Sequence, residues 1–191
     1  MNMIFRAITA LLLLSTSHLA SSLIITPDDC NLSVNCWTSD SNLTQADQIA
    51  NLVGVSVLEL LYKGEQEEVN DSLVLAESGP FAASYTTEFF NPQDDPSKAV
   101  VTFQAAPALD CVACYVSVKG GNSNPDVYVF NLAAFGWDGM DTLTLENFWV
   151  DPVRGAISHV AIWGPSVSVA EPGPLALLLL GIIGLAIRRK Y

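Results

Sequence analysis

The sequence predicts an all-β fold, a jelly-roll-like β-sandwich, for the central part of this 191-residue chain. Short runs rich in Val, Thr, Phe and Tyr recur at about ten-residue spacing, as in sandwiches and related barrels. Clusters of Gly, Pro, Asn and Asp separate these runs and predict turns. No internal repeat competes with this interpretation.

The first half of the central part predicts a mixture of loop, helix and strand. The segment that begins at residue 23 is rich in Asp, Asn, Ser and Thr, which predicts a loop with short strands. "TQADQIANLVG" predicts one or two helical turns that stop at Gly54. "VLELLYKG" and "SLVLAE" predict two strands joined by an acidic turn, although Leu-rich "VLELLYK" is also compatible with a helix.

The second half predicts strands more clearly. The runs are "ASYTTEFF", "AVVTFQAA", "CYVSVKGGN", "DVYVFNLAAF", "TLTLENFWV" and "GAISHVAIWG". In "CYVSVKGGN" the alternation places Tyr115, Ser117 and Lys119 on one face of the strand and Val116 and Val118 on the other.

The N-terminal 22 residues have the layout of a secretory signal peptide. Arg6 precedes an apolar run at 7–14, and small residues follow it, so we expect cleavage after Ser22. An uncleaved N-terminal anchor is the alternative, but the run is short for a membrane span. Residues 23–165 are then the predicted ectodomain.

The ectodomain is strongly acidic. Residues 23–170 contain 19 acidic and 4 basic residues. Such a surface repels phosphate backbones, so we expect no nucleic-acid partner. The charge favours solubility and attracts cations.

Four cysteines lie in the exported part: Cys30, Cys36, Cys111 and Cys114. An even number in an exported chain predicts disulfides, and pairing of near neighbours is the simplest of three connectivities. "CVAC" also has the spacing of a redox-active pair, but a strand-like run follows it where such chemistry needs a helix N-terminus. A four-cysteine zinc site is a third interpretation, although the first pair lacks the CxxC spacing.

The C-terminal segment 166–191 has a different character from the ectodomain. An apolar run at 175–187 would span only about 20 Å as a helix, against about 30 Å of bilayer core. The basic end favours the cytoplasmic side, which puts the acidic domain outside. A plain anchor and a lipid-anchor signal are the alternatives.

"EPGPLALLLLGIIGLAIRRK" resembles the PEP-CTERM sorting signal of Gram-negative bacteria. The resemblance implies recognition by an exosortase at the inner membrane, removal of the tail, and release or attachment at the cell surface, often with exopolysaccharide. Ala170 stands where the family has its first proline. The residues that carry the motif are Ala170, Glu171, Pro172, Gly173, Pro174, Arg188, Arg189 and Lys190. The runs "YVSVKGGN", "LTLENFW" and "GAISHVAIWG" also look like the body of many such exported proteins, for which no activity can be transferred.

Few side chains suggest chemistry. His159, the only histidine after signal removal, is predicted to share a strand face with Ile157, Ala161 and Trp163, and we expect a structural role for it. Trp137 is the best candidate for an exposed ligand contact, because "FGWDGMD" predicts a Gly-flanked loop that also carries Asp138 and Asp141.

These observations predict a non-enzymatic surface or matrix protein without a cofactor. One alternative is a secreted carbohydrate-active enzyme, which would need two facing carboxylates. The other is an adhesive or carbohydrate-binding module stabilised by calcium through Asp94, Asp95, Asp138 or Asp141, without an EF-hand spacing.

Overall fold

A computed structural model describes residues 21–32, 35–70, 72–90, 96–121, 123–150 and 155–165. The predicted sorting tail at 166–191, and all of the predicted signal peptide except residues 21 and 22, lie outside these residues. In the described ranges no helix has the length and apolar character needed to cross a membrane.

The described residues form ten strands, one α-helix and one 3-10 helix. The strands are β1 (Ser22–Ile25), β2 (Cys36–Ser39), β3 (Glu59–Val69), β4 (Ser72–Ser78), β5 (Tyr85–Phe90), β6 (Lys98–Phe103), β7 (Tyr115–Gly120), β8 (Val127–Asn131), β9 (Thr142–Leu145) and β10 (Ile157–Gly164). The 3-10 helix Pro27–Leu32 lies between β1 and β2, and α1 (Ala46–Val53) lies between β2 and β3. The all-β prediction is confirmed, and the mature start expected at residue 23 falls inside β1.

The strands form two sheets. One has four strands in the order β1-β9-β6-β5, and the other has six in the order β2-β8-β7-β10-β3-β4. The β1–β9 pair is parallel and the other described pairs are antiparallel. The main apolar core takes side chains from both sheets, so the fold is sandwich-like.

Alternation along the strands fills this core. Val116 and Val118 of β7 point into it, while Tyr115 joins a second apolar cluster on the outer face, so these residues lie on opposite faces as the sequence predicted. Ile157 does not share a face with His159, contrary to expectation. The pairing of β10 with β7 shifts register between these two residues, which turns Ile157 into the main core.

Helix α1 covers part of the outer face of the six-stranded sheet. Its apolar residues Ile49, Ala50 and Val53 belong to the same cluster as Tyr115, Val127, Val129, Ala161 and Trp163. The helix ends at Gly54, as predicted, because Gly54 adopts the left-handed conformation with φ of 79°.

The β3–β4 hairpin resolves one ambiguity and corrects one expectation. From Glu59 onward the Leu-rich run is a strand, because its residues pair with β10 and its last residue, Lys63, also pairs with β4. The acidic segment expected as a turn also belongs to β3, since Glu65 and Glu67 pair with Ala76 and Val74. The chain therefore reverses later, after Asn70, which has a positive φ of 51°.

The cysteines pair locally, as the simplest connectivity predicted. Cys30 bonds Cys36 with a Cα–Cα distance of 4.9 Å, and Cys111 bonds Cys114 with a distance of 5.0 Å. Cys114 immediately precedes strand β7 instead of opening a helix. The two disulfides indicate an oxidising, extracytoplasmic environment.

Candidate functional site on the outer face of the six-stranded sheet

The loop predicted to present Trp137 does not expose it. The Trp137 side chain is 3% exposed, and its ring packs against Tyr85 with 6.1 Å between ring centroids. Its indole N–H donates to the Asp141 carbonyl oxygen at 2.7 Å. The expectation of an exposed ring is wrong, because the loop folds back and uses the indole to close the core.

The acids of the same loop shape its backbone. One carboxylate oxygen of Asp138 accepts the backbone N–H groups of Met140 and Asp141, each at 2.8 Å. Asp141 in turn supplies the carbonyl that holds Trp137. Asp94 and Asp95 lie outside the described residues. Among the described residues, this loop included, no three His, Cys, Asp or Glu side chains are grouped as a metal ion would require.

Tyr85 ties this loop to the segment before the second disulfide. Its buried hydroxyl donates to the Gly139 carbonyl at 2.7 Å and accepts the Leu109 N–H at 2.8 Å. Burial raises the pKa of Tyr85 to about 12, so the hydroxyl keeps its proton at neutral pH. Gly139 has a φ of +85°, and any side chain there would collide with the Leu109 carbonyl.

A row of charged and titratable side chains crosses strands β7, β10 and β3 on the outer face of the six-stranded sheet. Lys119 of β7 lies opposite His159 of β10, which lies opposite Glu65 of β3. Lys63 is two residues from Glu65 on β3 and therefore on the same face. Lys119, His159, Glu65 and Lys63 are called the charged row below.

Two ion pairs flank His159 in the charged row. The Lys119 ammonium lies 2.9 Å from a carboxylate oxygen of Asp126, and both side chains are almost fully buried. Lys63 pairs with Glu65 on the other side of the imidazole, where both side chains are partly exposed. The row therefore holds its cations and anions in balance within an otherwise strongly acidic domain.

His159 is kept neutral by this setting. It is 8% exposed, and burial, reinforced by the positive charges of Lys63 and Lys119, lowers its pKa from 6.5 to about 4. The carboxylates of Glu65 and Asp126 oppose that shift without cancelling it. At neutral pH the imidazole is therefore uncharged, so one ring nitrogen can donate a hydrogen bond and the other can accept one.

The hydroxyl next to His159 is not aligned as a nucleophile. Ser158 Oγ lies 3.4 Å from His159 Nδ1 and donates to the Lys119 carbonyl oxygen at 3.2 Å. In a nucleophile–base pair the hydroxyl donates to the imidazole at shorter range. The structural role expected for His159 stays a prediction.

Sequence reasoning found His159 and missed its neighbours. Lys119 and Glu65 reach it only through the order β7-β10-β3, which places strands together that are distant in the chain. One available signal was the scarcity of basic residues: two of the four in the ectodomain, Lys63 and Lys119, lie in predicted strands.

Comparisons of this chain with protein-family models, with curated proteins and with solved structures found no match. The geometry therefore defines a class and not a family. The class is a disulfide-bonded, acidic protein of two packed β-sheets.

Proposed function

We propose that this chain is an exported protein of the cell surface or extracellular matrix, without enzymatic activity, that an exosortase sorts and cleaves. The observation that carries the proposal is the tail "EPGPLALLLLGIIGLAIRRK" behind an acidic ectodomain with two disulfides. The disulfides support export because such bonds persist only in oxidising compartments.

The tail acts in two parts in this proposal. The apolar run at 175–187 and the cations Arg188, Arg189 and Lys190 hold the chain transiently in the inner membrane, with the basic end inside. Pro172 and Pro174 prevent the helix from continuing toward the ectodomain, which leaves an extended segment for the protease at Glu171.

The jelly-roll-like subclass of the fold is part of the same proposal. Strands β1 and β2 lie in different sheets, and each pairs with a strand from the C-terminal half, β9 or β8. Such exchange between sheets supports a jelly-roll relationship, in which early and late strands pair across the domain.

Sorting is tested in the native host by fractionation of the full chain, with and without its exosortase. We expect the tail-free protein at the surface or in the medium, and the uncleaved protein in the membrane when the exosortase is absent. Replacing Glu171 and Pro172 with Ala should reproduce the membrane retention, whereas Ser158→Ala in the ectodomain should not. Equal release of the tail-free protein from cells with the exosortase and from cells without it would contradict exosortase sorting.

Association with exopolysaccharide is the second part of the proposal. With 19 acidic and 4 basic residues in 23–170, the domain repels polyuronic acids, so a neutral or amine-bearing polysaccharide is the better partner. The test is cosedimentation of the full chain with the host's own polysaccharide, with alginate as the acidic control. Absence of saturable binding to the host polysaccharide would remove this part and leave the sorting proposal intact.

A further inference from the structure

The free edge of the six-stranded sheet is unusually apolar. Strand β4 pairs only with β3, so its other side has no partner strand among the described residues. Three apolar side chains of β4 are exposed: Val74 at 41%, Leu73 at 44% and Leu75 at 49%. Val69 at the end of β3 is 45% exposed. Successive strand residues point to opposite faces, so β4 presents apolar side chains on both faces of the sheet.

This edge lacks the usual protection against pairing. Natural edge strands carry Lys, Pro or bulges, or are very short. Residues 72–76 of β4 are Ser-Leu-Val-Leu-Ala, without charge or proline, and the pairing with β3 runs without a register shift. β4 has seven residues, whereas the edge strands β1 and β2 have four each.

The fourth edge strand, β5, is protected by β4 itself. The Glu77 carboxylate accepts the outward backbone N–H of Thr87 at 3.0 Å and also accepts the Tyr62 hydroxyl at 3.3 Å. The only charged side chain of β4 is therefore engaged toward the other sheet. It does not guard the open edge formed by residues 72–76.

We propose that β4 is a dimerisation edge that pairs antiparallel with β4 of a second copy of this chain. A twofold axis at Val74 places Leu73 opposite the second copy's Leu75, and Ser72 opposite its Ala76. Residues 72–76 bring no charge to this contact, and the acidic residues that flank them in the sequence, Asp71 and Glu77, are a source of like-charge repulsion between the two copies. The edge is thus complementary to itself, which is the condition for an isologous contact.

The same symmetry makes the assembly close at two copies. Each molecule contributes one long apolar edge, and pairing consumes both. The β3–β4 hairpin favours this contact sterically, because Glu65 is the last residue of β3 that pairs with β10 and the hairpin extends beyond it. The paired strands therefore lie away from the rest of each acidic domain, and salt should strengthen the dimer by screening the residual repulsion.

Sedimentation velocity of the full chain, kept in a non-ionic detergent that shields the apolar tail, measures the assembly directly. We expect a monomer–dimer equilibrium that salt shifts toward dimer. Val74→Lys should raise the dimer dissociation constant at least about tenfold, because it removes a buried contact from both copies and opposes two like charges. Val57→Lys is the matched control, since Val57 is 64% exposed and lies outside the strands.

Cross-linking tests the register. Val74→Cys places two thiols across the twofold axis, so mild oxidation with diamide should give a covalent dimer, whereas Val57→Cys should not. A monomer at all concentrations, open-ended oligomers, or a dimer unaffected by Val74→Lys would each overturn the proposal. Circular dichroism of each variant distinguishes lost pairing from lost folding.

Discussion

Removing one oxygen atom from Tyr85 should destabilise the fold strongly. In Tyr85→Phe the ring remains, but the Leu109 N–H and the Gly139 carbonyl both lose their partner. Tyr85 is 2% exposed, so water cannot easily replace the hydroxyl. An unsatisfied buried polar group costs about 1–3 kcal/mol, and two of them predict a loss of about 2–6 kcal/mol.

Urea denaturation of the full chain, followed by tryptophan fluorescence, measures this loss as the change in the free energy of unfolding. Tyr128→Phe is the matched control, because Tyr128 packs against Phe148 and Trp149 and its hydroxyl makes no hydrogen bond within the described residues. We expect the control to change stability by less than about 1 kcal/mol. Equal effects of the two substitutions would refute the role of the Tyr85 hydroxyl.

Three further substitutions test the described side chains. His159 has a pKa of about 4 in the folded protein, below its ordinary 6.5, so the unfolded chain takes up a proton first as the pH falls. Stability from this group is complete above pH 6.5 and declines by about 3 kcal/mol toward pH 4, and pH-dependent denaturation should show a shallower decline in His159→Gln. An unchanged slope would contradict the neutral, buried imidazole. Asp126→Asn leaves the buried Lys119 ammonium without its anion and should lower the free energy of unfolding in urea by about 3 kcal/mol. Glu146→Gln breaks the partly exposed pair with Lys98 and should lower it by less than about 1 kcal/mol. Similar losses for the two substitutions would speak against burial of the Lys119–Asp126 pair. Gly139→Ala should lower the melting temperature more than Gly136→Ala. Both glycines have a positive φ, but only a Cβ at position 139 would collide with the Leu109 carbonyl oxygen. Equal shifts in melting temperature would show that the contact between Gly139 and the Leu109 carbonyl does not matter.

The fold class was readable from local pattern. Alternation in "YVSVKG" correctly separated Val116 and Val118 from Tyr115, and Gly54 marked the end of α1, where the chain adopts the left-handed conformation. Local pattern failed where tertiary pairing decides. Ile157 changed faces because of a register shift with β7, which no residue in β10 signals.

The candidate site was less readable than the fold. Polarity and flanking glycines favoured an exposed Trp137, but burial depended on a hydrogen bond to Asp141 and a contact with Tyr85, which is distant in the chain. The acidic residues of β3 resembled a turn, because strand propensity is weak for Glu and pairing with β4 overrides it. Order among distant strands, which assembles the charged row, is not encoded in any single segment.

Mass spectrometry of the chain isolated from its native host tests whether this protein is exported and processed at its C-terminus. We expect a C-terminus near Glu171, without "LALLLLGIIGLAIRRKY", and two intact disulfides in the remaining ectodomain. A chain that retains Tyr191 in the membrane fraction would contradict it and would make the tail a permanent anchor.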